Sequence, residues 1–166
     1  MTKKLNKAQL EKLVELLKWN QELGCYTRQA FENVVWPEIS SQAVWLVFFD
    51  VDGMKELNSR GSWDETSALI KRSIVMRSSD YVAGQVLSGD EFVVAISNNS
   101  KRDALDPRGL CQRILANFHK EGASATFAFG KITSTDLQEN LKPLKDLVQA
   151  AKEENRRGSI LSASAV

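Results

Sequence analysis

The longest apolar run in the chain, "AVWLVFF" from Ala43 to Phe49, passes directly into Asp50, Val51, Asp52 and Gly53. A strand with no alternation must be covered on both faces, so this run predicts a buried strand that ends in acid. It is strand-length and far too short to cross a bilayer. Helices have to cover such a sheet, and the chain supplies their patterns. "NKAQLEKLVELLKWNQEL" sets Leu10, Leu13, Val14, Leu16 and Leu17 on one broad helical face, with Gly24 as its stop. That helix either pairs with a partner or caps the domain, and capping is the reading preferred. A second helix is expected over "TRQAFENVVWPEI", broken at Pro37. "DETSALIKRSIVMR", "DPRGLCQRILANFHKEG" and "NLKPLKDLVQAAKEENR" read as three more, and "ATFAFGKI" as a further strand. "VLSGDEFVVAIS", Val86 to Ser97, reads as two strands joined by a tight turn at Gly89, Asp90 and Glu91.

A length of 166 residues, with no repeat or low-complexity block, suits one α/β domain with a substantial core. The expected division is a helix over 1–20, the domain over 21–160 and a frayed tail over 161–166. A formal net charge of +1 offers no basic field for nucleic acid. Cys25 and Cys111 lie far apart without metal-ligand spacing and read as reduced thiols. The charged start "MTKKLNKAQLEKL" lacks a signal-peptide apolar block. The expectation is a cytoplasmic protein with neither membrane nor nucleic acid as partner.

Two adjacent carboxylates at a hairpin tip repel each other and add nothing to a core. If the hairpin neighbours the Asp50 strand, Asp50, Asp52, Asp90 and Glu91 converge at one sheet edge. Clustered oxygens with no imidazole or thiolate describe a hard-cation site, Mg²⁺ or Mn²⁺ first. Such ions can activate a hydroxyl and stabilise a leaving oxygen in phosphoryl chemistry. The competing reading is that these are solvated turn acids.

The two acidic motifs together resemble those of the GGDEF domains of diguanylate cyclases, over about Gly24 to Arg156. The family's G-G-[D/E]-E-F is here Ser88-Gly89-Asp90-Glu91-Phe92, and its D-x-D-x-F-K-x-x-N is "DVDGMKELN". The resemblance implies a palm-like nucleotidyl cyclase domain, a mainly antiparallel central sheet flanked by helices. It implies that Asp50, the Val51 carbonyl and Asp90 hold Mg²⁺ or Mn²⁺. Glu91 would be a further ligand or would help deprotonate the attacking 3′-hydroxyl. The Gly53 and Met54 N–H groups would cradle phosphate, and Lys55 would add charge to the phosphates or pair with the acids. Gly89 would leave room for the nucleotide. The family's closing A-K-x-x-G-R-N is here "AKEENRRG", which gives Lys152 and Arg156, four apart on a helix face, as phosphate ligands. "RSSD" gives Arg77 and Asp80 as a product-inhibition site, about two residues farther from the signature than is usual in the family.

The base-reading positions depart from the family. Asn58 matches the Asn that reads guanine. The partner Asp falls on Thr66 with a one-residue deletion, or on Ser67 without it. A hydroxyl donates or accepts, so it serves adenine as well as guanine. Hybrid cyclases that use both ATP and GTP are similar in having a short polar residue here. A slipped loop would instead bring in Asp64 or Glu65. The early D-x-L-T-G-L-x-N-R survives only as "NQELGCYTR". The expected function is condensation of two triphosphates (GTP, and ATP with it) into a cyclic dinucleotide such as c-di-GMP by a transient homodimer. The alternative is a degenerate domain that binds GTP or cyclic dinucleotide and signals to a partner, a separate sensor or effector protein. A palm-like polymerase or other cyclase sharing the fold is a third reading.

Overall fold

The computed structural model describes residues 4–75, 83–85, 89–97 and 106–163. The chain runs α1 (Lys7–Lys18), β1 (Trp19–Asn20), β2 (Cys25–Tyr26), α2 (Arg28–Ala30), a π-helical turn (Phe31–Val35), α3 (Trp36–Ile39) and β3 (Ala43–Val51). It continues through α4 (Met54–Arg60), α5 (Trp63–Ser73), β4 (Ala83–Gln85), β5 (Glu91–Ser97), α6 (Pro107–Lys120), β6 (Ala125–Lys131), α7 (Leu137–Glu153) and β7 (Ile160–Ser162). The strands form one sheet in the order β1-β2-β4-β5-β3-β6-β7. Its centre, β4-β5-β3-β6, is antiparallel throughout, as expected. β2 joins β4, and β7 joins β6, in parallel.

Both faces of β3 are buried, which is why its sequence does not alternate. Val47, Phe49 and Val51 enter one core with Ile70 of α5 and with Leu110, Ile114 and Phe118 of α6. Leu46 and Phe48 enter the other with Phe31, Trp36 and the α7 residues Leu141, Leu144 and Val148. Phe49 stacks on Phe92 of β5 at 5.2 Å between ring centres and meets Phe127 of β6 at 5.0 Å. This cross-strand cluster fixes the register of the three central strands.

Several boundaries differ from those expected. The first helix ends at Lys18 rather than running to residue 20, because Trp19 and Asn20 pair with β2. None of its residues is buried, and Leu10, Leu13, Val14, Leu16 and Leu17 are exposed, so it does not cap the domain. Pro37 does not break the second helix. The preceding turn widens, with the Trp36 N–H bonded to the Phe31 carbonyl, and the chain stays helical to Ile39. A π turn relieves the clash that proline makes with the carbonyl four residues back. Leu161 and Ser162, expected in the frayed tail, instead complete a strand that begins at Ile160 and is held against β6 by the backbone.

Candidate active site

Strand parity builds the site. Leu46 and Phe48 face α7, so Asp50, two further on, emerges on that side where the sheet ends. On β5, Val93 and Ala95 belong to the same layer, and Glu91 lies in register with Asp50. The hairpin turn is fastened to the same edge, since the Val51 N–H donates to the Asp90 carbonyl at 2.8 Å. Asp50, Val51, Asp90 and Glu91 are therefore brought together. From α7, the Lys152 Nζ lies 2.8 Å from Asp50 Oδ1 and 3.5 Å from Asp52 Oδ1.

Asp52 has a structural task. It is buried, its Oδ1 accepts from the Thr126 hydroxyl at 2.7 Å and its Oδ2 from the Gly158 N–H at 3.1 Å. The end of β3 is thereby pinned to β6 and to the loop before β7.

Burial holds the Asp50 carboxyl above its usual range; the hydrogen bond and charge of Lys152 oppose this, while Asp90 and Asp52 add to it. Glu91 is raised first by burial and next by Asp50, with Asp90 adding and Lys145 and Lys152 opposing. The Glu91 Oε2 is buried without a hydrogen-bond partner. An orphaned carboxylate oxygen among like charges suits a hard cation. Among the described residues, no three carboxylate, imidazole or thiol side chains converge closely enough to hold a metal by themselves. Mg²⁺ commonly takes only one or two protein carboxylates and completes its shell with water and substrate phosphates. The donors here fit such an ion on condition that Lys152 yields its place on Asp50.

Gly53 precedes α4 at φ +64°, a left-handed conformation that a side chain would strain. Met54 packs on the core, whereas Lys55 and Asn58 are exposed on α4. Thr66 and Ser67 are both buried on α5, and the Ser67 hydroxyl donates back to the Asp64 carbonyl at 3.1 Å. Asp64 and Glu65 lie exposed in the first turn of that helix. A cavity of about 360 Å³ opens beside Asp52, Gly53, Leu57, Arg60 and Arg157, but neither Asn58 nor Thr66 lines it.

Lys152 and Arg156 do not share a helix face. α7 ends at Glu153, Asn155 turns left-handed at φ 57°, and the exposed Arg156 bonds Glu154 at 2.8 Å. Of these two cations, Lys152 is the one that meets Asp50 and Asp52. Arg77 and Asp80 lie outside the described residues. Two features were missed from sequence: the Thr126 and Gly158 partners of Asp52, and Trp63. A Cβ on Gly89 would come within 2.6 Å of the Trp63 ring, so the small residue there makes room for an indole. The one sequence signal for Trp63 was a large aromatic opening a helix one turn before Thr66.

No family model and no curated protein matches the chain. Solved structures do. Diguanylate cyclase SiaD of Pseudomonas aeruginosa, in complex with its activator SiaC, superposes with a TM-score of 0.68 at 14% identity, over 94% of this chain and 66% of that one. The S helix-GGDEF-EAL portion of Vibrio cholerae LapD, bound to c-di-GMP, gives 0.69 at 14%, over 96% of this chain and 40% of that one. A microbial GGDEF domain with c-di-GMP gives 0.69 at 16%, over 88% of this chain and 99% of that one. The chain thus spans two-fifths of the LapD chain and under two-thirds of the SiaD chain, but nearly all of a lone GGDEF domain. At these identities the likeness establishes the fold, which is that of a GGDEF domain.

Proposed function

We propose that this GGDEF-fold chain is a nucleotidyltransferase that condenses two purine nucleoside triphosphates into a cyclic dinucleotide. The observation that carries the reading is the meeting of Asp50, the Asp90 turn and Glu91 at one sheet edge, with the turn tied to Val51 by a backbone hydrogen bond. In each of two steps a 3′-hydroxyl attacks an α-phosphorus, the bond to pyrophosphate breaks and the hydroxyl proton leaves. Glu91, with its affinity for a proton raised by burial and by Asp50, accepts that proton. Mg²⁺ or Mn²⁺ held by Asp50, the Val51 carbonyl and Asp90 would supply Lewis-acid stabilisation of the charge that develops on the phosphates. Lys152 moves from Asp50 to the phosphates, and Lys55 and Arg156 add charge there. The turn N–H groups at Gly53 and Met54 hold a phosphate oxygen. Asn58 and Thr66 meet the base edge. One domain holds one triphosphate, so two copies must face each other for turnover.

The test is product analysis with labelled GTP and ATP, alone and at equal concentrations, with Mg²⁺ or Mn²⁺. A cyclic dinucleotide is expected from wild type, and none from Asp90→Ala with a Tm close to wild type. A hydroxyl at position 66 leaves no unpaired acceptor facing adenine, so ATP should compete with GTP. Thr66→Asp should shift use towards GTP. Strict GTP use by wild type would remove Thr66 as base reader, and turnover by Asp90→Ala would remove the site.

One observation favours a second reading, a domain that binds nucleotide or cyclic dinucleotide and signals to a partner. Lys152 sits on Asp50 where a metal would bind. Tight binding of GTP with no product under any metal would decide for it.

A further inference from the structure

Trp63 spans the gap between two parts of the chain that the chemistry brings to the substrate. At its polar end the indole Nε1–H donates to Glu22 Oε2 at 2.8 Å. The indole has no other hydrogen-bonding atom, so this bond fixes how the ring lies. Its benzo edge rests against Gly89, where a Cβ would stand 2.6 Å from the nearest ring carbon. Position 63 is three and four residues before Thr66 and Ser67, on the helix face that those buried hydroxyls and Ile70 share. The ring thus extends the base-reading face of α5 by one turn and reaches the signature turn. It remains 39% exposed although both ends are held.

We propose that Trp63 is the purine-stacking platform of this site and supplies affinity that does not depend on which purine is bound. The inference rests on the nucleotide-site reading given above. Each purine has a π face, so stacking is sequence-tolerant, whereas a carboxylate on the base edge is not. With Thr66 or Ser67 in place of a carboxylate, hydrogen bonding discriminates weakly and the indole carries a larger share of the binding. Glu22 is a positioning residue, because it touches the ring and not the nucleotide.

The experiment measures binding of 3′-deoxy-GTP, 3′-deoxy-ATP and inorganic triphosphate by calorimetry with Mg²⁺ present. The deoxy nucleotides lack the attacking hydroxyl and cannot be consumed. Trp63→Ala should weaken both nucleotides by a similar factor, about tenfold, the scale of one lost base–aromatic stack. Its affinity for inorganic triphosphate should be unchanged, and Trp63→Phe should stay close to wild type. If Trp63→Ala fails to fold, Trp63→Leu keeps an apolar side chain against Gly89 without a π face and should show the same loss. Equal nucleotide affinity in wild type and Trp63→Ala would overturn the inference and leave the site reading intact. Tighter binding by Trp63→Ala would overturn it by showing the indole to be an obstruction. Wild type that binds none of the three ligands would overturn the site reading, and the inference with it.

Discussion

At the scale of single residues, Glu91 is a group whose environment is at odds with its charge. Burial and the neighbouring Asp50 raise its carboxyl above the ordinary value of 4.5. The folded chain therefore holds the proton more tightly than the unfolded chain does. Stability from this group is greatest below that ordinary value and is lost as pH rises through the raised one. At neutral pH a charged Glu91, with an orphaned Oε2, is a standing cost to the fold. Glu91→Gln removes the charge and gives the position a donor beside acidic neighbours. We expect it to raise Tm at pH 8, with the gain shrinking as pH falls towards 4.5, while turnover is lost. Thermal melts across that range check it, and a Gln variant less stable than wild type at pH 8 would contradict it. The two cysteines lie at the opposite extreme. Burial pushes Cys25 and Cys111 up to about 12, which suits apolar packing rather than chemistry.

Secondary-structure elements differ sharply in what they contribute. Phe92 closes the signature and is fully buried against Phe49, so the Gly89–Asp90 turn is anchored by an aromatic stack. Phe92→Ala should cost about 3–5 kcal/mol and should lower nucleotide binding together with stability. By contrast α1 buries none of its residues and is tied on at its last turn, where the Thr27 hydroxyl donates to the Leu17 carbonyl and the Thr27 N–H to the Lys18 carbonyl. A chain that begins at Glu15 should melt within roughly 0.5 kcal/mol of the full one, the range of ordinary surface changes. Denaturant unfolding of both variants measures the contrast. Similar losses from both would mean that α1 carries folding energy after all.

For the whole molecule, the proposed function requires more than one copy. Asp50, the Asp90 turn and Glu91 meet at one edge of one sheet, and on that reading one such edge would activate one hydroxyl. On the proposed function the attacked α-phosphorus belongs to a nucleotide on a second copy. Specific activity should therefore rise with protein concentration until dimers saturate, giving a rate near second order in enzyme when dilute. A rate strictly proportional to concentration, in protein that is monomeric by sedimentation, would contradict two-copy catalysis. Among the described residues, no helix is long and apolar enough to cross a membrane.

The features legible in the sequence are those that local pattern controls. The unbroken run at Ala43 to Phe49 made β3 central because no one-sided strand can be apolar at successive positions. The Gly-Asp-Glu interruption made a turn between strands because those residues tolerate turns and the flanking ones favour strands. From these two patterns the convergence of Asp50, Asp90 and Glu91 followed on condition that the two strands are neighbours, a pairing that the sheet itself supplies. The apolar stripe of the first helix was equally visible, but a stripe says which face is apolar and not what covers it. Tertiary structure decided the rest, since each remaining feature joins residues remote in sequence. Asp52 is held by groups 74 and 106 residues away, Trp63 reaches back to Glu22, and Lys152 finds Asp50 because α7 covers the face that strand parity assigns to that carboxylate. Where a long side chain ends depends on how the layers pack, and no local spacing encodes it.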